Sequence, residues 1–180
     1  MNMNAEFQRL NNNGQKSKNR EKILEYSEIS LQIIYIDFQI LVICTGLSGE
    51  AYSFISRKDV TKILWESVAV HQYIENFYNF KTETNHSNQS SSKNIKEKPS
   101  KEKLAESLKD LGKLLFQNIF KDEILDLFNV TIGQSIKNGQ DILIRLMIGS
   151  DFLNIVPWEL FFEKERYLCH IYDIVRHPFS

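Results

Sequence analysis

Cysteine, net charge and long apolar runs are what this sequence has little of. The two cysteines, Cys44 and Cys169, are too few for a disulfide framework or for a zinc site of the usual kind. A formal net charge of −1 argues against a broad nucleic-acid surface, which needs clustered positive charge. Every apolar run is far shorter than the roughly 20 residues that a membrane-spanning helix needs.

The overall composition is typical of a soluble protein with one hydrophobic core. Of the 180 residues, 42% are hydrophobic and 25% are charged, which is ordinary for a globular domain. Residues 1–20 are rich in Asn and Gln and lack the apolar segment of a secretory signal, so we expect a flexible leader and a cytoplasmic protein. Residues 21–180 are predicted to form a single α/β domain with a mixed β-sheet flanked by helices.

The Ile-, Val- and Tyr-rich stretch that follows the leader predicts strands. We expect a break near Asp37 and then a hairpin that pairs Ile40–Cys44 with Tyr52–Ile55. Gly46 and Gly49 would supply any positive φ that the turn demands. A phosphate-binding glycine loop is the alternative, but no Lys-Ser/Thr pair follows Gly49 and the next residues favour a strand.

Apolar residues recur at three- and four-residue steps in three segments, which are predicted to be the helices Lys58–Asn79, Lys101–Asn118 and Asp122–Lys137. Asp59 and Asp122 are the expected N-caps, and Gly139 is expected to end the third helix. His71 falls on the predicted apolar face of the first helix, where a packed or edge histidine is favoured over a catalytic base. Trp65 lies at the edge of that face or contacts a partner.

Residues 81–103 have almost no large apolar side chain and carry six Lys against three Glu. This composition predicts a long flexible insertion in the domain. Binding to nucleic acid or to an acidic membrane is the alternative, but the lysines are diluted among Ser and Asn.

Two apolar runs dominate the last part of the chain. Residues 141–148 predict a strand buried on both faces, although the pattern also fits a buried helix. Residues 167–175 predict a second strand with looser alternation. Between them, Asp151 is expected to cap a short helical turn and Pro157 to occupy a first helical position.

The segment Pro157–Leu160 is predicted to have a structural role. Trp158 is expected to be a buried anchor between sheet and helices. Glu159 would then need a partner, and we expect it to pair with Arg176. The adjacent Cys169 and His170 suggest a catalytic dyad, but in a strand neighbouring side chains point to opposite faces, so we expect none.

These residues resemble the leading part of CHAT domains, a family of caspase-like cysteine peptidases often joined to TPR repeats. The resemblance lies in the strand at Ile144–Leu146, the sequence Pro157–Trp158–Glu159–Leu160, the pair Tyr167–Leu168 and the strand end Val175–Arg176. It covers roughly residues 104–178 and is weaker at 30–56. The family's catalytic His and Cys motifs are expected beyond Ser180, so the chain would not be an enzyme by itself.

The resemblance implies a caspase-like, pseudo-protease half that serves as a scaffold or regulatory piece for a peptidase core, supplied in cis or in trans, and contacts TPR modules. No catalytic residue, cofactor, metal, nucleic acid or membrane partner is expected. A stand-alone adaptor without a peptidase partner is the alternative, and an enzyme that joins His71 or His170 to Cys44 and a carboxylate is a third. Whether the chain is a fragment or a natural separate partner stays open.

Overall fold

The computed structural model describes residues 25–86 and 100–178, and it confirms the predicted α/β class. The main sheet is mixed and has five strands in the order β3-β2-β1-β4-β7. A second, two-stranded sheet pairs β5 with β6. The elements in chain order are β1 (Tyr26–Ile36), β2 (Gln39–Gly46), β3 (Gly49–Ile55), α1 (Arg57–His86), α2 (Lys101–Ile119), α3 (Asp122–Asn138), β4 (Asp141–Ile148), the 3₁₀ helices η1 (Asp151–Ile155) and η2 (Trp158–Leu160), β5 (Phe162–Glu163), β6 (Arg166–Tyr167), the 3₁₀ helix η3 (Leu168–His170) and β7 (Asp173–Pro178).

The first three strands form an antiparallel meander, of which the sequence predicted the break near Asp37 and the second hairpin. The break falls at Asp37 and Phe38, whose φ angles of 47° and 65° are typical of a type I′ hairpin turn. The second hairpin pairs Ile40 with Ile55, as expected. Gly49 supplies a positive φ of 139°, whereas Gly46 does not. Gly46 instead leaves space for the Thr131 side chain of α3, which packs against it.

The sheet becomes parallel on the other side of β1. Strand β4 pairs with β1 and with β7, so the sheet joins the meander to the last part of the chain. Burial alternates along β4: Ile144 and Leu146 are fully buried, whereas Arg145 is only half-buried. The prediction of a strand buried on both faces was therefore wrong, because the apolar run includes residues on a face that none of the helices in residues 25–86 and 100–178 covers.

The two faces of the sheet differ in their surroundings. One hydrophobic core lies on the covered face and also contains buried residues of α1, α2 and α3. Its strand residues on β1, β2 and β4 are Ile29, Leu31, Ile33, Ile40, Val42, Cys44, Ile144 and Leu146. On the opposite face, called the open face below, the apolar side chains lie outside this core and are half-buried or exposed: Ile34, Ile36, Leu41, Ile43, Tyr52, Phe54, Leu143, Met147 and Val175. The helices therefore cover one face of the sheet.

Helix α1 begins with a reciprocal cap at Ser56. The Ser56 hydroxyl accepts a hydrogen bond from the Asp59 backbone N–H and donates one to the Asp59 carboxylate, so Ser56 is the cap and the prediction of Asp59 was wrong. The buried residues of α1 include Ile63 and Val70. His71 is exposed, which corrects its placement on the apolar face, and Trp65 is exposed as well.

The predicted insertion at residues 81–103 is partly corrected. Residues 81–86 continue α1, and residues 101–103 form the first turn of α2, whose N-cap Ser100 accepts a hydrogen bond from the Lys103 N–H. Residues 87–99 and the leader at 1–20 lie outside the described residues. Tyr73 also fastens the start of α2 to α1, because its hydroxyl donates to the Ser100 carbonyl and accepts from the Ser100 N–H.

The third helix has nearly its predicted bounds but not its predicted cap. Lys121 occupies the N-cap position without a side-chain cap bond, and Asp122 is already the first helical residue, with a φ of 48°. Gly139 ends the helix in the left-handed conformation, as expected, with a φ of 66°. Within residues 25–86 and 100–178, no helix is both long and apolar enough to span a membrane.

Two glycines in helices give opposite predictions. A Cβ on Gly112 would clash with the Leu160 backbone carbonyl and lie 2.9 Å from the Phe162 Cβ, whereas a Cβ on Gly133 would meet nothing within 4 Å. We expect Gly112→Ala to lower the free energy of unfolding by about 1–3 kcal/mol through overpacking. Gly133→Ala should raise it by about 0.5–1 kcal/mol through helix propensity. Equilibrium urea unfolding of both variants measures this, and equal effects would contradict the tight contact.

Candidate functional site

The segment between β4 and β5 folds over the core through Trp158. Its side chain is fully buried, and its indole N–H donates to the Leu153 carbonyl at 3.0 Å, which satisfies the only polar atom of the ring. This confirms the predicted anchor. Leu160 directs its carbonyl at Gly112, so the segment and α2 are in close contact. Pro157 precedes η2 and is not its first residue, which corrects that prediction.

Glu159 forms the ion pair with Arg176 that the sequence predicted. The Arg176 Nε and Nη2 atoms donate to the two carboxylate oxygens at 2.8 and 2.7 Å, a bidentate geometry. The same guanidinium donates to the carbonyls of Asn154 and Val156 at 3.3 and 3.2 Å. Because Arg176 lies on β7, these contacts fasten the outermost strand of the sheet to the segment that contains Trp158. We call this set of contacts the β7 clasp.

The start of this segment differs from the prediction. Ser150 precedes η1, Asp151 is its first residue, and no side chain caps the helix. The short length explains the difference, since a single 3₁₀ turn leaves few backbone N–H groups that need a cap.

Cys169 and His170 lie in the 3₁₀ helix η3, not in a strand. The predicted strand at residues 167–175 is instead divided into β6, η3 and β7, because backbone bonds from Ile171 and Tyr172 to the Leu168 carbonyl close a turn. Cys169 is exposed. The His170 ring meets the Tyr167 ring edge-on at 5.6 Å between centroids. The opposite-face argument against a dyad therefore does not apply to this segment.

Cys44 has the properties of a core residue. It is fully buried on β2, and burial raises the pKa of its thiol to about 12. A thiol with such a pKa is protonated at neutral pH and is a poor nucleophile. The imidazole of His71 meets the Ser67 carbonyl with Nδ1 at 2.8 Å, so it is held by its own helix. The structure does not bring Cys44 and the exposed His71 together in a catalytic arrangement.

The open face carries an ionic network that the sequence analysis missed. Arg145 donates to both carboxylate oxygens of Glu28, at 2.7 and 2.8 Å, and these bonds lower the pKa of that carboxyl group. Its Nη1 lies 2.7 Å from the Nε2 of His177. Since arginine can only donate, Nε2 of His177 is the acceptor in this contact. The signal in the sequence is Arg145 itself, the one charged residue inside the apolar run of β4.

A small cleft lies between α2 and the β5–β6 hairpin. Its volume is about 280 Å³. The ammonium groups of Lys109 and Lys113 lie 5.0 and 5.8 Å from the centre of the Phe162 ring. Lys109 is paired with Glu165, whose pKa is lowered chiefly by that hydrogen bond. The carboxylates of Glu163 and Glu165 also line the cleft and offset the lysine charges, so the cleft is not specific for an anion.

Among the described residues, no group of three or more His, Cys, Asp or Glu side chains is placed to hold a metal ion. No protein-family model matches this chain, and neither a curated protein nor a solved structure does. The features with defined geometry are therefore the β7 clasp, the open face and its ionic network.

A double-mutant cycle measures the β7 clasp. We expect Glu159→Gln and Arg176→Met to be coupled by about 0.5–1 kcal/mol in the free energy of unfolding, since both side chains are about one-third exposed. Arg176→Met alone should cost more, because it also removes the bonds to two carbonyls. The control cycle is Lys109→Met with Glu165→Gln, where the 74% exposure of Glu165 predicts a smaller coupling. Additive losses at positions 159 and 176 would contradict the clasp.

The two thiols should differ in reactivity. In the native protein we expect Cys169 to react rapidly with a chromogenic disulfide reagent and Cys44 to react only after unfolding, because the first is exposed and the second is buried. Cys169→Ser should remove the fast phase and Cys44→Ala should leave it. Two fast thiols in the native protein would contradict the buried position of Cys44.

The same burial has a consequence for stability at high pH. The pKa of Cys44 is about 12 in the folded state and 9.0 without burial. Its contribution to stability is therefore complete below pH 9 and decreases as pH rises toward 12, because only the unfolded state ionises in this range. Unfolding of the native chain and of Cys44→Ala between pH 8 and pH 11 measures this, and an equal decline in both would contradict it.

Proposed function

We propose that this chain is a non-catalytic interaction module that serves as a scaffold or regulatory piece for a caspase-like peptidase core, as the resemblance to CHAT proteins implies. The observation that carries the proposal is the β7 clasp. The residues of the resemblance, Trp158, Glu159 and Arg176, are the ones whose contacts fix the outer strand of the sheet. Their contacts determine the position of β7.

Strand β7 is suited to a protein contact. It pairs with β4 on one side and, within the described residues, with no strand on the other. A free strand edge offers backbone N–H and C=O groups to another strand, which is a common mode of protein recognition. The β7 clasp would hold this edge in place before a partner binds, so that less conformational entropy is lost on association.

The sulfhydryl groups support a non-catalytic role. Cys44 has its thiol in the core with a raised pKa, and Cys169 is exposed on a short turn beside a histidine that packs on Tyr167. A cysteine peptidase needs a thiolate that is paired with a suitably placed base.

Peptidase assays test the absence of catalysis. We expect the purified chain not to hydrolyse casein or a mixed peptide library, with no change after the thiols are alkylated. Hydrolysis that disappears when either Cys44 or Cys169 is replaced by Ala would overturn the proposal.

Binding to a peptidase core tests the scaffold role. The coding DNA past the Ser180 codon is read for a continuation with the His and Cys motifs, in frame or frameshifted, and that polypeptide is produced separately. We expect it to bind this chain, with a Kd that rises at least about five-fold in Arg176→Met through the lost clasp. Lys109→Met, which removes a cation of helix α2, should leave the Kd unchanged. If no such continuation exists and the chain is a cooperatively melting monomer, the stand-alone adaptor is the better interpretation.

A further inference from the structure

The open face has an uncharged apolar region on the meander. We define it as the apolar patch, formed by Ile34, Ile36, Leu41, Ile43, Tyr52 and Phe54. We propose that this patch binds the same patch of a second copy of the chain. The two sheets then stack face to face, related by a two-fold axis that lies in the plane of the interface and runs perpendicular to the strands. The inference rests on the proposed function in that the chain acts through protein contacts, and it names one partner.

The strand register makes the patch continuous. Phe54 lies opposite Leu41, and Leu41 lies opposite Ile34, so these three side chains form one row across β3, β2 and β1. Tyr52 and Ile43 form the adjacent row, which ends on β1 with the polar Gln32. Neighbouring side chains on one face of a sheet are in contact range. The patch is therefore a single surface and not a set of separate apolar residues.

The patch is exposed to a degree that is unusual for aromatic residues. Tyr52 is 64% exposed, Phe54 is 49% exposed and Ile36 is 43% exposed. Together with the half-buried members, this corresponds to about 500 Å² of mostly apolar surface per copy, given that a large aromatic residue can bury 150–250 Å². A contact of two such patches would bury about 1,000 Å², which is at the lower limit for a specific interface. We therefore expect a dimer that dissociates in the micromolar range.

A second copy fits this surface because its two rows match in chemical type on β3 and β2, while on β1 Ile34 of one copy would face the polar Gln32 of the other. A two-fold axis that runs between the rows places Phe54 of one copy against Tyr52 of the other, and Leu41 against Ile43. Aromatic residues then meet aromatic residues on β3, and branched aliphatic residues meet on β2. Two sheets stacked in this way lie about 10 Å apart, with their side chains interdigitated.

The charges around the patch do not favour a highly charged partner. Arg145 and Glu28, on the other half of the open face, already neutralise each other through two hydrogen bonds. The next row beyond Tyr52 and Ile43 contains Glu50, Thr45 and Ser30, and the two-fold axis places Thr45 near the polar Gln39 of the other copy. The same axis places Ser30 near Ile36, so the polar match at the border is limited to β2. A second copy of the open face therefore offers its apolar centre on β2 and β3 to the same centre of the first copy.

Sedimentation equilibrium of the full chain between about 1 and 200 µM tests the proposal, a range that brackets a micromolar Kd. We expect a monomer–dimer equilibrium. Tyr52→Glu and Phe54→Glu should each weaken it at least ten-fold, because a buried carboxylate would lack a partner. Trp65→Glu is the matched control: it replaces an aromatic residue that is 70% exposed, outside the patch. Circular dichroism and the melting temperature verify that all three variants are folded.

Crosslinking tests the geometry. In a Cys169→Ser background, a mixture of Phe54→Cys and Tyr52→Cys chains should be crosslinked by a short bismaleimide more efficiently than either variant alone, since the two-fold axis brings these positions together. Equal efficiency in the mixture and in the separate variants would exclude this arrangement, even if the protein is dimeric.

Other results would identify other occupants. A monomer at 200 µM overturns the inference, and a drop in the melting temperature for Tyr52→Glu would then mean that another part of the chain covers the patch. A dimer that is lost in Trp65→Glu but retained in Tyr52→Glu also overturns it. A monomer that still binds the peptidase core contradicts this inference alone, whereas a dimer that fails to bind that core contradicts the proposed function alone.

Discussion

The parallel pairing of β1 with β4 is the contact on which the rest of the structure depends. It joins two halves of the chain that are more than a hundred residues apart, from Tyr26 opposite Asp141 to Ile33 opposite Ile148. Ser27 donates to the Gln140 side chain at one end, and the Gly149 N–H donates to the Ile33 carbonyl at the other. Both ends of the register are thus fixed by hydrogen bonds outside the strand pair.

The register of this pair determines what lies on each face. Ile29 meets Ile144 and Leu31 meets Leu146 in the core. A slip of one residue would turn the side chains of one strand to the other face, and Arg145 would enter the core without Glu28. The burial of a charged group without its partner is costly, so the ionic network on the open face also disfavours the wrong register. Arg145 therefore specifies the fold as well as the polarity of the surface.

The elements with strong local signals could be predicted from the sequence. The break at Asp37, the second hairpin, the helices α2 and α3 and the end at Gly139 each depend on residues that are close in the chain. The pair of Glu159 with Arg176 was also predicted, because a carboxylate beside a buried Trp needs a partner and Arg176 ends the last predicted strand. The helix α1 extends further than its apolar period indicated, since residues 81–86 follow a helix that is already formed.

The remaining differences arise from tertiary contacts that no local pattern encodes. Both faces of β4 carry large apolar residues, and the position of the helices decides which of these residues are buried. In the same way, the residues after Tyr167 have strand formers, but the turn at η3 is set by the backbone bonds to Leu168. Glu28, Arg145 and His177 lie on three different strands, so their contact follows from the sheet order alone.

The two sides of this sheet have different tasks in the structure. On the covered face, the core and the β7 clasp use buried apolar groups and a bidentate ion pair to place the last strand. On the open face, Arg145 donates to both carboxylate oxygens of Glu28, and its Nη1 lies 2.7 Å from the Nε2 of His177. The bonds from Arg145 hold the pKa of the Glu28 carboxyl below its ordinary value. The open face is therefore divided into two regions: an ionic network that links β1, β4 and β7, and the apolar patch on β1, β2 and β3, which contains no charged side chain.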